Sequence, residues 1–190
     1  GCRMLVSKQY GLKLTYATLA AFTKYPRPSL IAQRDIARKS QKKYGFFSNQ
    51  LQAFEQMAQE LGLEKVGADC WARHPLAFLV EAADDICYSI IDLEDGCTLG
   101  LISFEDTVAL LKPILGTIFD PEKLKNRTKT QNLGALRALV IGQLIRECVE
   151  AFAAYEESMR KGNFDKALTD MIPSAKALAE ISQRSVRQIY

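Results

Sequence analysis

The chain has 190 residues and a formal net charge of +3, and 48% of its residues are hydrophobic and 25% charged. This balance excludes disorder as the main state and suits one globular domain with a sizeable core. The five cysteines are scattered without a CxxC pair, and His74 is the single histidine. This composition argues against a disulfide framework or a zinc-thiolate site. It favours a location in the reducing cytoplasm. We expect no membrane partner, because there is no run of about 18 apolar residues.

Apolar periodicity and helix-ending residues predict helices along the whole chain. In chain order, we expect helices at residues 12–22, 48–61, 75–94, 104–119, 133–162 and 173–190. Ser103 and Asp106 form an S-x-x-D cap for the fourth helix, and Pro75 suits the first position of the third. Residues 67–71 are expected to form a loop. Because no convincing alternating strand is present, the expected fold class is all-α, a multi-helix bundle.

Residues 24–43 carry a local excess of positive charge. Seven lysines and arginines stand there against Asp35 alone. Such an asymmetry indicates an anionic partner. A single-stranded nucleic acid fits this description, although few aromatic residues are interleaved for base stacking.

Acidic residues line one side of the predicted helix 75–94. On a wheel of about 100° per residue, five carboxylates and one tyrosine fall within about 100°, and apolar side chains fill the opposite half, which we expect to face the core. The acidic stripe contains Glu81, Asp84, Asp85, Tyr88, Asp92 and Asp95. No lysine or arginine lies on it, so its carboxylates repel at i, i+4 spacing. It is either a solvated helix face or the wall of a cleft for a cation or polar ligand.

Three stretches together resemble bacterial dGTPase-type deoxynucleoside triphosphate triphosphohydrolases, which belong to the HD-domain metal-dependent phosphohydrolases. They are residues 73–95, 11–27 and 42–47, in the order and spacing of that family. The resemblance implies the C-terminal part of an HD-type helical phosphohydrolase. Residues 1–190 would form one helical domain or fragment, in which residues 1–100 complete the active site and residues 101–190 form associated C-terminal helices. It also implies a cytoplasmic homo-oligomer.

The resemblance implies roles for individual residues. Asp84 matches a catalytic metal ligand, Tyr88 a tyrosine that packs on the nucleotide sugar, and Asp92 the acid that accepts a hydrogen bond from the sugar 3′-hydroxyl. On a helix these three lie on one line, about 6 Å apart per step. The residues that match the family's triphosphate contacts are Lys24, Tyr25 and Lys43.

The chain departs from the family in its metal ligands, because it has no His-Asp dipeptide. We therefore expect a fragment, starting at Gly1, of a longer enzyme that uses a divalent metal such as Mg²⁺ or Mn²⁺ to cleave a dNTP into deoxynucleoside and triphosphate. The fragment alone is expected to be inactive and to hold no metal. The alternatives are a non-catalytic nucleotide-sensing or protein-interaction module, and nucleic-acid binding through residues 24–43.

Other distinctive residues have structural explanations. We expect His74 to cap a helix, Arg137 to be a paired structural arginine, and Trp71 to anchor a loop. Cys87 is expected on the apolar, inert side of its helix. The expected aromatic core cluster consists of Phe22, Phe46, Phe47 and Phe54.

Overall fold

The computed structural model describes residues 14–30, 35 and 37–189. Six α-helices and one small two-stranded antiparallel sheet occur in this part of the chain, which confirms the all-α class. The helices are α1 (Tyr16–Phe22), α2 (Leu51–Leu61), α3 (Pro75–Thr98), α4 (Phe104–Leu115), α5 (Lys129–Arg160) and α6 (Ala175–Ile189). The strands are β1 (Lys65–Gly67) and β2 (Cys70–Trp71), and Lys65 pairs with Trp71. The prediction of a loop at residues 67–71 was therefore correct for the turn at residues 68–69 and wrong for Gly67, Cys70 and Trp71, which belong to the strands.

Local capping explains several helix ends. The Ser103 side chain accepts a hydrogen bond from the Asp106 backbone N–H at 3.0 Å, which confirms the predicted cap of α4. Gly62 ends α2 with a left-handed backbone at φ 65°, a conformation that glycine adopts without steric cost. The predicted end of the third helix near residue 94 was wrong. The helix continues to Thr98, and Gly100, at φ 77°, follows it.

The chain divides into two compact units. Of the described residues, 14–30, 35, 37–81 and 152–167 form the first unit, and 82–151 and 168–189 form the second. Both α3 and α5 contribute residues to each unit.

Aromatic residues form the core of the first unit. The rings of Phe46 and Phe54 stack with centroids 4.2 Å apart, and the Trp71 ring lies 5.2 Å from that of Phe54. Trp71 is buried, as expected of an anchor. Phe22 and Phe47 are exposed, so the prediction that they join this cluster was wrong. The core also contains Tyr16, Ala20, Met57 and Ala58.

Polar contacts connect the helices of the second unit. The Arg137 guanidinium lies 2.7 Å from the Glu94 carboxylate and joins α5 to α3, which confirms a paired structural arginine. The buried Glu147 carboxylate accepts hydrogen bonds from the backbone N–H and the hydroxyl of Ser174, both at 2.9 Å. It thereby satisfies donors just before the first turn of α6.

The apolar half of α3 is only partly buried. Ile86, Ile90 and Leu93 belong to the core, as the wheel predicted. The prediction that the whole apolar half of α3 faces the core was wrong for the neighbouring apolar positions, which are exposed to solvent. These exposed positions are Leu76, Val80, Ala83, Cys87 and Ile91.

Candidate functional site

The first turn of α3 is fixed by His74 and Pro75. His74 Nδ1 accepts a hydrogen bond from the backbone N–H of Leu76 at 3.2 Å, which confirms a capping role. Pro75 occupies the first helical position, where a missing N–H costs nothing. Burial, and to a smaller extent the nearby Arg160 guanidinium, lower the pKa of His74 from its usual value. His74 is therefore held as a neutral hydrogen-bond acceptor at neutral pH.

The acidic stripe of α3 is divided between solvent and partial burial. Asp84 is exposed, and so is Tyr88, with 65% of its surface accessible. Asp92 is half-buried. Asp85 is also half-buried, and its Oδ2 accepts a hydrogen bond from the Thr169 hydroxyl at 3.3 Å.

Tyr88 and Asp92 line a cavity of about 530 Å³ within the second unit. One wall is α3, which also contributes Asp85 and Ser89, and the opposite wall is α6. The two walls touch where the Ser89 and Ser182 hydroxyls lie 2.7 Å apart. Asp84 does not belong to this lining. The structure thus places two of the three residues predicted on one line of α3 at a common cavity.

The charged side chains that line the cavity are carboxylates. Its described lining includes the carboxylates of Asp85, Asp92 and Asp170, and no lysine, arginine or histidine. The Ser89 hydroxyl donates to the backbone carbonyl of Asp85 at 2.7 Å. Such a lining suits hydroxyl or amine donors, as on a sugar or a base, and repels phosphate.

The predicted triphosphate residues lie in the first unit. Lys24 Nζ is 3.0 Å from Oε1 of Glu81, and Tyr25 is half-buried beside it in the chain. Lys43 is exposed. The Lys43 segment runs beside the Lys24 segment, because the Gly45 N–H donates to the Arg27 carbonyl at 3.1 Å.

Gly45 permits this close approach of the two segments. A Cβ at that position would lie 2.4 Å from the Tyr25 carbonyl oxygen and 2.7 Å from a Thr23 methyl. Real Cβ atoms do not approach other heavy atoms so closely, so only glycine fits. The structure therefore brings the segments that carry Lys24, Tyr25 and Lys43 close together.

Part of the positive charge of residues 24–43 has structural roles. Arg27 is buried, and its guanidinium donates to the carbonyls of Gln41 and Pro28 at 3.1 and 2.9 Å. Arg38 Nη2 donates to the Gly162 carbonyl at 2.7 Å. Arg34, which belongs to the same basic segment, lies outside the described residues. Fewer cations than the sequence suggests are thus available to an anionic ligand.

The sequence reasoning missed two parts of this arrangement. Arg73 Nη1 lies 2.6 Å from Glu81 Oε2, and Lys24 Nζ lies near the other oxygen of the same carboxylate. Glu81, the first residue of the acidic stripe, is therefore paired with two cations. The α6 wall, with Ser182 and the buried Ser185, was also missed. The only signal for the pairing was Arg73, two residues before the helix begins at Pro75. Serines on an amphipathic helix give no signal.

The described residues supply one candidate metal ligand rather than a metal centre. Asp84 is the carboxylate for which the resemblance implies a metal-ligand role, and the residue is exposed. Within residues 14–30, 35 and 37–189, no three His, Cys, Asp or Glu side chains cluster as a metal site. A divalent metal takes several protein ligands or keeps its water, so a lone carboxylate does not fit a complete centre.

A membrane-spanning role finds no support in the helices. None of the helices described is both long enough and apolar enough to cross a bilayer.

The fold and the cavity define an all-α protein in which the acidic side of α3 lines a cavity together with α6. No family model matches the chain. Curated relatives do match. It is 39% identical over 186 residues to a deoxyguanosinetriphosphate triphosphohydrolase-like protein of Synechocystis sp., covering 95% of this chain and 41% of that protein. A protein of the same name from Pseudomonas aeruginosa (strain LESB58) is 34% identical over 85% of this chain and 38% of its own length. A deoxyguanosinetriphosphate triphosphohydrolase of Yersinia pestis (strain Pestoides F) is 26% identical over 98% of this chain and 40% of its own length.

These relatives confirm the resemblance to the dGTPase-type triphosphohydrolase family. The chain spans about two fifths of the length of the curated relatives it matches.

Proposed function

We propose that this chain is the part of a deoxynucleoside triphosphate triphosphohydrolase that binds the deoxynucleoside on α3 and the triphosphate near Lys24. The observation that carries the proposal is the presence of Tyr88 and Asp92, one turn apart, at one cavity lined by carboxylates. The names of the relatives support dGTP-like substrates.

The cavity suits the sugar and base of such a substrate. The Tyr88 ring offers an apolar face with an exposed edge, against which a deoxyribose packs. The half-buried Asp92 carboxylate would accept a hydrogen bond from the 3′-hydroxyl. Hydrogen bonds from a hydroxyl to a charged acceptor are short and strong. Neither residue has to move a long way, because both already face the cavity.

The basic first unit suits the triphosphate. A triphosphate carries about four negative charges, and the ammonium groups of Lys24 and Lys43 act on them as point charges. These lysines would neutralise charge on the triphosphate when a water oxygen bonds to the α-phosphorus and the bond from that phosphorus to the 5′-oxygen breaks. The 5′-oxygen takes a proton and leaves on the deoxynucleoside.

A divalent metal belongs to the same proposal for the complete enzyme. Asp84 would contribute one ligand, and the remaining ligands would come from outside the described residues. The chain alone is then expected to release no triphosphate from dGTP in the presence of Mn²⁺.

The experiment has a binding arm and a hydrolysis arm. In the binding arm, the chain is titrated with deoxyguanosine and, separately, with inorganic tripolyphosphate. We expect Asp92→Asn to weaken only the first and Lys24→Ala only the second. Binding of neither ligand would refute the proposal. A single-stranded oligonucleotide is the comparison, and tight, steeply salt-dependent binding of it alone would favour a nucleic-acid-binding module.

The hydrolysis arm tests Asp84. In the complete enzyme, Asp84→Ala is expected to abolish triphosphate release from dGTP, and near-normal turnover would refute its role as a metal ligand. Turnover by the 190-residue chain that vanishes in Asp84→Ala would show instead that the chain carries a complete centre.

A further inference from the structure

Three charged side chains from separate segments meet in the first unit. Glu81 Oε2 lies 2.6 Å from Arg73 Nη1, and Glu81 Oε1 lies 3.0 Å from Lys24 Nζ. The side chain of Arg73 is 1% exposed, that of Glu81 7% and that of Lys24 36%. In this cluster the buried Glu81 carboxylate lies between the buried Arg73 guanidinium and the Lys24 ammonium, which is partly exposed at the surface.

Burial holds the inner pair of this cluster in one arrangement. The Arg73 guanidinium also lies 5.2 Å from the Phe78 ring, and its Nε and Nη2 have no hydrogen-bond partner among the described residues. Glu81 is thus the one carboxylate that the described residues place on this buried cation. Moving it away would leave a buried charge without compensation, which is strongly unfavourable.

The outer member, Lys24, lies on a segment without regular structure. It follows the last turn of α1 and precedes Tyr25 and Pro26. A lysine has four flexible bonds, and an ammonium group held at one point loses that freedom. The carboxylate of Glu81 supplies such a point, on the same helix that carries Tyr88 and Asp92 further along.

We propose that Glu81 is a positioning residue, which the buried Arg73 holds in place and which in turn fixes the Lys24 ammonium for contact with the substrate triphosphate. This inference rests on the proposed function, because it requires Lys24 to be a phosphate contact. An ammonium placed before binding loses little freedom when the phosphate arrives. The cluster holds two cations and one carboxylate, so it keeps a net attraction for an anion.

The two explanations of this cluster predict opposite effects of one substitution. If Glu81 merely reduces the positive charge around Lys24, Glu81→Gln removes a negative charge and tightens the binding of a triphosphate. If Glu81 positions Lys24, the same substitution weakens binding, although the local charge becomes more positive. The sign of the change therefore separates positioning from simple electrostatics.

The probe is inorganic tripolyphosphate, titrated into the chain by calorimetry. Lys24→Ala is expected to weaken binding about tenfold, the value of one charged contact, and Glu81→Gln is expected to approach the same affinity. The matched control is Glu157→Gln, which removes an exposed carboxylate 2.6 Å from Lys161 and should not weaken binding. Binding by Glu81→Gln that equals or exceeds that of the unmodified chain overturns the proposal.

A double variant covers the case in which Glu81→Gln does not fold. Arg73→Met/Glu81→Gln removes the whole buried pair and leaves the net charge unchanged. Simple electrostatics then predicts an unchanged affinity, whereas positioning predicts the affinity of Lys24→Ala. If neither variant folds, nitrogen NMR of the unmodified chain decides. A slowly exchanging Lys24 ammonium signal supports positioning, and a signal typical of a free lysine overturns it.

The proposed function and the positioning role fail in different ways. If Lys24→Ala leaves the affinity for tripolyphosphate unchanged, or the chain binds none, the phosphate role of Lys24 is wrong. If Lys24→Ala weakens binding and Glu81→Gln does not, the phosphate role stands and only the positioning role is wrong.

Discussion

Replacing Glu81 by glutamine is expected to destabilise the fold strongly, whatever the protein binds. The Glu81 carboxylate faces Arg73 at 2.6 Å with both side chains almost wholly buried. Removing one partner of such a pair leaves a buried, uncompensated charge and costs about 3–5 kcal/mol. For a chain of this size, 1 kcal/mol corresponds to roughly 2–4 °C in melting temperature. The expected decrease is therefore roughly 6–20 °C.

The control is the same substitution in an exposed pair of equal length. Glu157 Oε1 also lies 2.6 Å from its partner, Lys161 Nζ, but 82% of the Glu157 side chain is exposed. Exposed helix pairs contribute about 0.3–0.5 kcal/mol, so Glu157→Gln should shift the melting temperature by only about 1–2 °C. Thermal unfolding followed by circular dichroism measures both variants. Equal shifts would refute the reasoning, because distance is matched and burial is what differs.

Three further predictions concern the cavity, the segment contact and pH. Asp92→Asn should reduce the preference for deoxyguanosine over its 3′-deoxy analogue, measured by calorimetry, by about 1–3 kcal/mol. Asp95→Asn, an exposed control on the same helix, should leave this preference unchanged. An unchanged preference in Asp92→Asn contradicts the 3′-hydroxyl role. Gly45→Ala should lower the urea midpoint, because its Cβ would meet the Tyr25 carbonyl oxygen at 2.4 Å, and an unchanged midpoint contradicts this packing. The pKa of His74 is lowered by folding, so the unfolded chain binds its proton first and the free energy of unfolding should fall as pH drops below about 6.5. His74→Gln should remove that part of the pH dependence, and an unaltered slope counts against the lowered pKa.

The starts of α3 and α4 could be predicted from the sequence, whereas α1 and α5 begin at Tyr16 and Lys129, each four residues from its predicted start. Pro75 favours the first turn of α3, and Ser103 caps the first turn of α4. Because each effect reaches only one turn along the chain, the local sequence was enough to predict these two starts correctly. Gly96 resembled a terminator, but the helix runs past it to Thr98. A distant residue contributes at that end, because Lys129 Nζ donates to the Cys97 carbonyl at 3.0 Å. Such long-range caps leave no mark on the local sequence.

The candidate site was predictable only along one helix. Spacing alone put Tyr88 and Asp92 on one line, and the cavity contains both. The helix wheel could not show which carboxylates face protein, because that depends on where α6 packs. It also could not show that Glu81 has two cationic partners, since Arg73 and Lys24 come from segments 8 and 57 residues away. Pairings of this kind are set by the tertiary fold.

The exposed Cys87 of α3 and the buried Cys148 of α5 should differ in their reactivity towards alkylating reagents. Cys87 was expected to be inert on an apolar helix side, but it is exposed. Cys148 of α5 is buried, and burial, together with the negative charges of Glu147 and Asp85, raises its pKa to about 11. Because the thiolate is the nucleophile, iodoacetamide at pH 8 should label Cys87 in the folded chain and leave Cys148 unmodified until the chain unfolds. Peptide mapping by mass spectrometry measures both sites, with the urea-unfolded chain as the reference for complete labelling. If Cys148 were labelled in the folded chain as fast as Cys87, then either its burial or the exposure of that side of α3 would be wrong, and a Cys87→Ser variant would show which of the two thiols reacts.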